Sequence, residues 1–157
     1  MTSGRNWQLC LIVLLMLVCA TSVVGCATKE ERNIDSYLSA CDPIVHDYLD
    51  LLEETVSFQK DAPKLSPDVA MQKASDIAAQ YDGLNNRLTA IDCPPECTEL
   101  RTYTFNMMDC SALQVVEVGM YYGTGDVEHM HKADSYYSDW QTASDQWTDE
   151  WKRLGGN

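Results

Sequence analysis

From Met130 to the C-terminus, the large apolar and small side chains fall on one repeating step. Met130, Ala133, Tyr137, Trp140, Ser144, Trp147, Trp151 and Leu154 alternate three and four residues apart. No strand satisfies that spacing, because side chains of a strand share a face at every second residue. A three-four stripe sustained over several turns is the seam of a helix packed at a shallow angle on others. The same step recurs earlier, at Ile34, Leu38, Cys41, Val45, Tyr48 and Leu52. Between these stripes lie two further helical segments. One opens at Ser66-Pro67-Asp68, an N-cap, a proline in the first helical position and an acid in the first turn, and is predicted to run to about Ile91. The other is predicted from about Glu96 to Tyr122, with Phe105, Met108, Ala112, Val115, Val116 and Gly119 on a broad apolar face. "CPPEC" (Cys93–Cys97) separates them, since a helix does not continue smoothly through two prolines. "GTGD" (Gly123–Asp126) is a turn with Asp126 placed to cap the last helix. Asp42-Pro43 could start helix 1, but the stripe crosses it without a phase break, which favours one helix kinked at Pro43. The expected fold is all-α, an antiparallel up-down-up-down four-helix bundle over residues 34–157, following an N-terminal signal peptide.

The first 25 residues read as an export signal. Arg5 is the first charge and Lys29 the next, and Leu9–Val18 is an unbroken apolar run. Ten residues are too few to span a hydrocarbon core, which takes about 20, and they suit the apolar region of a cleaved signal. Extended through Val24, the run would reach spanning length and could instead be an uncleaved anchor. No Arg-Arg pair is present, which favours the general export route. Residues 26–33 form a polar tether or the first turn of a helix. Removing residues 1–25 takes away only Arg5 from the charged set, leaving ten basic against 24 acidic residues, a charge of −14 compared with −13 for the whole chain. So acidic a domain is a poor partner for nucleic acid or anionic headgroups. The remaining 132 or so residues suffice for one domain with a core.

"VVGC" (Val23–Cys26) resembles the bacterial lipobox, in which a branched apolar residue, a small or apolar residue and Gly or Ala precede a cysteine. The resemblance implies diacylglycerol on the Cys26 sulfur, cleavage before Cys26 and acylation of its new amine. An ordinary secretory signal cut near Ala20 or Gly25 is the alternative. Ala27 follows, where lipoproteins of two-membraned bacteria carry an Asp for inner-membrane retention. The chain as a whole is loosely similar to small bacterial lipoproteins with helical-bundle domains, through the lipobox, "CDPIVHDYLDLL" (Cys41–Leu52) and "PPECTELRTYTFNMMD" (Pro94–Asp109). The implied location is the extracytoplasmic face of the cell membrane or outer membrane. The partners are the membrane, through the lipid, and an envelope protein, and no cofactor is implied.

Cys41, Cys93, Cys97 and Cys110 remain, and four cysteines in an exported chain most often form two disulfides. At about 1.5 Å per residue, Cys110 lies roughly 20 Å from the "CPPEC" end. If helix 1 begins near Glu30, Cys41 lies roughly 15–18 Å from that end. This reading pairs Cys41 with Cys110 and Cys93 with Cys97. If helix 1 begins at Pro43, Cys41 drops toward "CPPEC" and pairs with Cys93 or Cys97. The C-x3-C spacing is not the C-x2-C of thioredoxin-like exchange or zinc knuckles.

His46, His129 and His131 are the candidate metal ligands. Asp126 and His129 make one Asp-x-x-His, whereas di-iron bundles use a repeated Glu-x-x-His. Two residues turn a helix by about 200°, so His129 and His131 point apart on a regular helix. A metal- or haem-binding carrier using these histidines with methionines is the alternative to a binding or scaffolding domain. No Gly-x-Ser-x-Gly elbow, phosphate loop or C-x-x-C-H haem motif occurs, so the chain does not read as an enzyme.

Overall fold

The computed structural model describes residues 28–155, so Cys26, the lipobox-like tetrapeptide and residues 1–25 lie outside the described residues. Among the described residues there are four α-helices and no strand: α1 (Lys29–Asp61), α2 (Pro67–Thr89), α3 (Thr98–Thr124) and α4 (Val127–Arg153). They form a four-helix bundle. Short 3-10 turns, Ala62–Lys64 and Pro95–Cys97, join α1 to α2 and α2 to α3.

Local chemistry accounts for the ends. Thr28 and Glu31 make a reciprocal capping box, so helix starts at Lys29 and residues 29–33 belong to it. Pro67 is the first residue of α2 and its preset φ suits that position. The two prolines of "CPPEC" hold Pro94 extended before the 3-10 turn at Pro95. Gly125 takes the left-handed conformation (φ 76°) that ends α3 with an N–H bond to the Tyr121 carbonyl at 2.7 Å. Asp126 then caps α4 by accepting from Glu128 N–H at 3.0 Å. α1 runs through Pro43 without interruption, as the continuous stripe requires.

The buried face of α1 is Tyr37, Cys41, Ile44, Tyr48, Leu51, Thr55 and Phe58. This corrects the expected stripe, because Ile34, Leu38 and Leu52 are only partly buried against this core. The shift centres α1 on its two tyrosines and Phe58 rather than on its aliphatic edge. By contrast, α2 and α3 meet through small residues. Ala70 and Ala74 are fully buried, and Gly119 of α3 lies against both.

Through the middle runs a polar thread contributed by all four helices. The Trp140 indole of α4 donates to the Tyr48 hydroxyl of α1 at 2.6 Å. Tyr48 lies 3.2 Å from Ser111 Oγ of α3, and Ser111 donates to the Met107 carbonyl at 2.9 Å. Since Ser111 spends its proton there, Tyr48 donates to Ser111. On α2, Tyr81 donates to Thr55 Oγ1 (2.9 Å), which donates on to the Leu51 carbonyl (2.9 Å). The Tyr48 and Tyr81 rings meet edge to face at 6.0 Å.

Burial raises these phenols. Tyr37 and Tyr48 are pushed well above the ordinary tyrosine range, and Tyr81 is pushed up to about 12. An unfolded tyrosine ionises near pH 10. Protonated phenols therefore contribute stability that is fully present below about pH 10 and is lost as pH rises toward the folded values. In an alkaline titration, phenolate absorbance from these three residues is expected to appear together with loss of the helical signal. Full phenolate absorbance from all eight tyrosines before any helix is lost would contradict this.

Candidate functional site

The chemistry-bearing side chains gather at the "CPPEC" end. α1 is ten residues longer than α2, 33 against 23. Arg87 pairs with Asp47, and Gln80 donates to Glu54, so Thr89 is reached while α1 still has more than a dozen residues to its N-terminal side. Those first turns of α1 extend past the end of α2. There Tyr37 and Cys41 meet the "CPPEC" turn and the last turns of α4.

The expected Cys41–Cys110 link is corrected by this overhang. Asn85 bonds Asp109 at 2.5 Å and Arg87 bonds Asp47. Cys110 is therefore level with about residue 50 of α1, roughly nine residues or about 13 Å of helix rise from Cys41. A disulfide requires Cα atoms about 4.4–6.8 Å apart. The height estimate fails because it takes the start of α1 as level with "CPPEC". Cys93 and Cys97 are not bonded to each other either: Cys41, Cys93, Cys97 and Cys110 are all free thiols. Cys110 instead lines a shallow groove between α3 and α4 with Asn106, Asp109, Asp139, Thr142, Ala143 and Gln146. Burial and then the Asp139 and Asp109 carboxylates push its thiol up.

Beside Cys41 is a cavity of about 40 Å³, lined by Tyr37, Leu38, Leu88, Leu100, Thr104, Trp147 and Trp151 among others. Trp147 and Trp151 stack at 5.4 Å. The Trp147 indole donates to Thr104 Oγ1 at 3.1 Å, while the buried Trp151 Nε1 has no partner. The space is of water size, far below the roughly 300 Å³ at which ligand pockets begin. Glu150 closes the end: it is 5% exposed and accepts from Arg153 Nε (2.6 Å) and Nη2 (2.5 Å). Arg153 also donates to the Glu96 carbonyl at 2.8 Å, so α4 is tied to the turn. The Arg153 hydrogen bonds hold the Glu150 carboxyl below its usual range.

The three histidines are dispersed. His46 is exposed on α1, with Nδ1 2.9 Å from the Asp42 carbonyl, and that bond leads the causes that raise its pKa. His129 pairs with Glu117 of α3 at 2.5 Å, at the end of the bundle opposite "CPPEC". His131 is exposed beside Glu128. Among the described residues no three His, Cys, Asp or Glu side chains converge as a metal set.

Sequence reasoning misses Tyr37, Glu150 and Arg153. Tyr37 lies one position off the stripe assigned to α1, and the Arg153–Glu96 contact joins residues 57 apart. The i, i+3 spacing of Glu150 and Arg153 is visible in the sequence, but it resembles an ordinary surface pair. No family model matches this chain, and neither a curated protein nor a solved structure is significantly similar to it.

Proposed function

We propose that this protein is a bacterial lipoprotein whose helical bundle binds or scaffolds an envelope protein at the extracytoplasmic face of the cell membrane or outer membrane. Residues 1–25 are the signal peptide and Cys26 carries the lipid. The observation that carries the reading is "VVGC", Val23–Cys26, two residues ahead of the Thr28 cap of α1. So short an interval leaves almost no linker, and the bundle stands directly on its anchor.

The same reading takes the topology as antiparallel up-down-up-down. Supporting it, residue numbers rise along one helix as they fall along its neighbour: Asp47–Arg87 and Glu54–Gln80 for α1 and α2, Asn85–Asp109 and Ala74–Gly119 for α2 and α3, Glu117–His129 and Thr104–Trp147 for α3 and α4. With α1 starting at the "CPPEC" end, the cavity, Cys41, Cys93 and Cys97 face the membrane, and the Ala62–Lys64 and Gly123–Asp126 turns face away. The mechanism is confinement. Two or three acyl chains, each adding about 0.8 kcal/mol per buried methylene, hold the acidic domain in two dimensions and raise its effective concentration near envelope partners. A binding role rather than catalysis accords with a water-sized cavity and with thiols whose burial disfavours the nucleophilic thiolate.

Protein extracted from cell membranes with mild detergent is expected to begin at Cys26 and to carry the mass of a diacylglycerol and an amide-linked acyl chain. Cys26→Ala is expected to carry no acyl mass. A lipid-free chain beginning near Ala20 or Gly25, or one retaining residues 1–25, would overturn the reading.

A further inference from the structure

We propose that the seam between α1 and α4 docks a cationic amphipathic helix of a partner protein. The proposal rests on the binding role given above and names the chemistry of the partner. α1 carries two lines of side chains. The inner line, from Tyr37 to Phe58, is its buried face. The outer line lies one residue further round: Leu38, Asp42, Val45, Leu49, Leu52 and Val56, in alternating steps of four and three. Leu38, Val45, Leu49 and Leu52 are half-buried, and Val56 is 36% exposed. Asp47 and Glu54, on the opposite edge of α1, turn to Arg87 and Gln80 of α2. The outer line therefore faces α4, and Leu38, Asp42 and Val45 share the lining of the 40 Å³ cavity with Trp147 and Trp151.

α4 does not close over this line. The backbone of α3 packs closely on both α2 and α4, whereas the backbones of α1 and α4 scarcely come within 8 Å of each other, Cα to Cα. Aromatic side chains span the gap: Tyr137 is stacked on Trp140 at 6.0 Å and Trp147 on Trp151 at 5.4 Å, and all four are half-buried. Half-buried indoles beside a row of Leu and Val are the composition of an interface core, where aromatic anchors carry most of the binding energy.

Spacing and charge specify the occupant. The four-three step is the heptad step of a coiled-coil seam, which receives the side chains of another helix repeating at the same interval. Asp42 interrupts the aliphatic line, with its side chain 57% exposed. A helix lying along the line covers that carboxylate and has to bring a cation to it, because an unpaired charge removed from water is costly. The flanks repeat the demand. Asp35, one step before Leu38, and Glu53, beside Leu52, are both exposed. A second copy of this chain, with 24 acidic residues against 11 basic, sets acid against acid at the same positions. The occupant is therefore a helix with an apolar stripe and cationic flanks.

The probe is a synthetic peptide of about three heptads with Leu at the a and d positions, Lys, Ala and Gln elsewhere, and no aromatic residue. It is titrated into purified protein while the fluorescence of Trp140, Trp147 and Trp151 is followed. A saturable change is expected. A peptide of the same composition in scrambled order keeps the charge but loses the stripe, and is expected to bind about tenfold more weakly. Leu49→Gln combined with Val56→Gln is expected to weaken binding of the patterned peptide by about tenfold with little change in denaturant midpoint. Asp42→Asn, at an exposed position, is expected to weaken it by about threefold and to lower its salt dependence. No binding of the patterned peptide, equal affinity for the two peptides, or unchanged affinity in either variant would overturn the proposal. So would sedimentation showing that the protein alone is a dimer which Leu49→Gln with Val56→Gln dissociates. The titration does not depend on where the chain begins. A lipid-free chain that binds the peptide overturns the anchoring alone, and a lipidated chain that does not bind it overturns the docking alone.

Discussion

Tyr48→Phe is expected to destabilise the bundle by about 2 kcal/mol, read as a lowered denaturant midpoint with unchanged slope. The substitution removes one oxygen and almost no volume, so packing loss is a minor part of the effect. What it strands is larger. The Trp140 N–H loses its acceptor at 2.6 Å, and Ser111 Oγ loses the donor at 3.2 Å. Neither finds water readily, because Tyr48 and Ser111 are both almost fully buried. An unmatched buried donor costs about 1–3 kcal/mol, more than the roughly 1 kcal/mol net value of an ordinary hydrogen bond. A second variant identifies the cause. Trp140→Phe removes the stranded donor, so adding it to Tyr48→Phe is expected to cost less than the sum of the single changes, with a coupling of about 1 kcal/mol. Strict additivity would mean that the Trp140–Tyr48 bond contributes nothing. The thread matters beyond its energy. A bundle packed only on aliphatic seams leaves neighbouring registers close in stability, whereas a hydroxyl relay with members on all four helices is satisfied in one register.

How much of this is legible in the chain differs by level. The helices and their breaks are: Ser66-Pro67-Asp68, "CPPEC" and "GTGD" each act through backbone chemistry that depends on adjacent residues. The α4 stripe is likewise local, and every member from Met130 to Leu154 is buried or partly buried. The phase of α1 is less so. Leu38 and Leu52 outweigh Tyr37 and Thr55 on any hydropathy count, yet Tyr37 and Thr55 are the buried pair, and Thr55 has a hydrogen-bond partner waiting in the core. Burial of a polar side chain depends on that partner, and for Thr55 the partner, Tyr81, lies 26 residues away. The cysteine site fails for a related reason. Rise per residue is a local constant, but the height of Cys41 depends on how far α1 overhangs α2, which side-chain pairs between helices decide. Cys26 is wholly a sequence inference.

Gly119→Ala and Gly83→Ala are the same substitution in neighbouring helices and are expected to have opposite signs. In an exposed helix interior, replacing glycine by alanine stabilises by about 1 kcal/mol, through lower entropy in the unfolded chain. Gly83 meets that condition: a Cβ built there finds nothing within 4 Å. Gly119 does not. Its Cβ would overlap the Ala74 Cβ and lie 3.3 Å from the Ala70 carbonyl oxygen. Neither obstacle is the end of a flexible side chain. Both belong to the backbone of α2 or one bond from it, so the helices must separate. Overpacking of this kind costs about 1–3 kcal/mol. Separation also loosens the contact that sets α2 against α3, so the upper part of that range outweighs the gain in helix propensity. The net expectation for Gly119→Ala is a loss of about 1–2 kcal/mol, against a gain of about 1 kcal/mol for Gly83→Ala. Adding Ala74→Gly to Gly119→Ala is expected to recover much of the loss, although Ala74→Gly alone destabilises a helix interior by about 1 kcal/mol. Recovery would show that one methyl group's width at Ala74 sets the distance between α2 and α3. If Gly119→Ala instead stabilised the protein as Gly83→Ala does, the two helices would not be in close contact at Gly119.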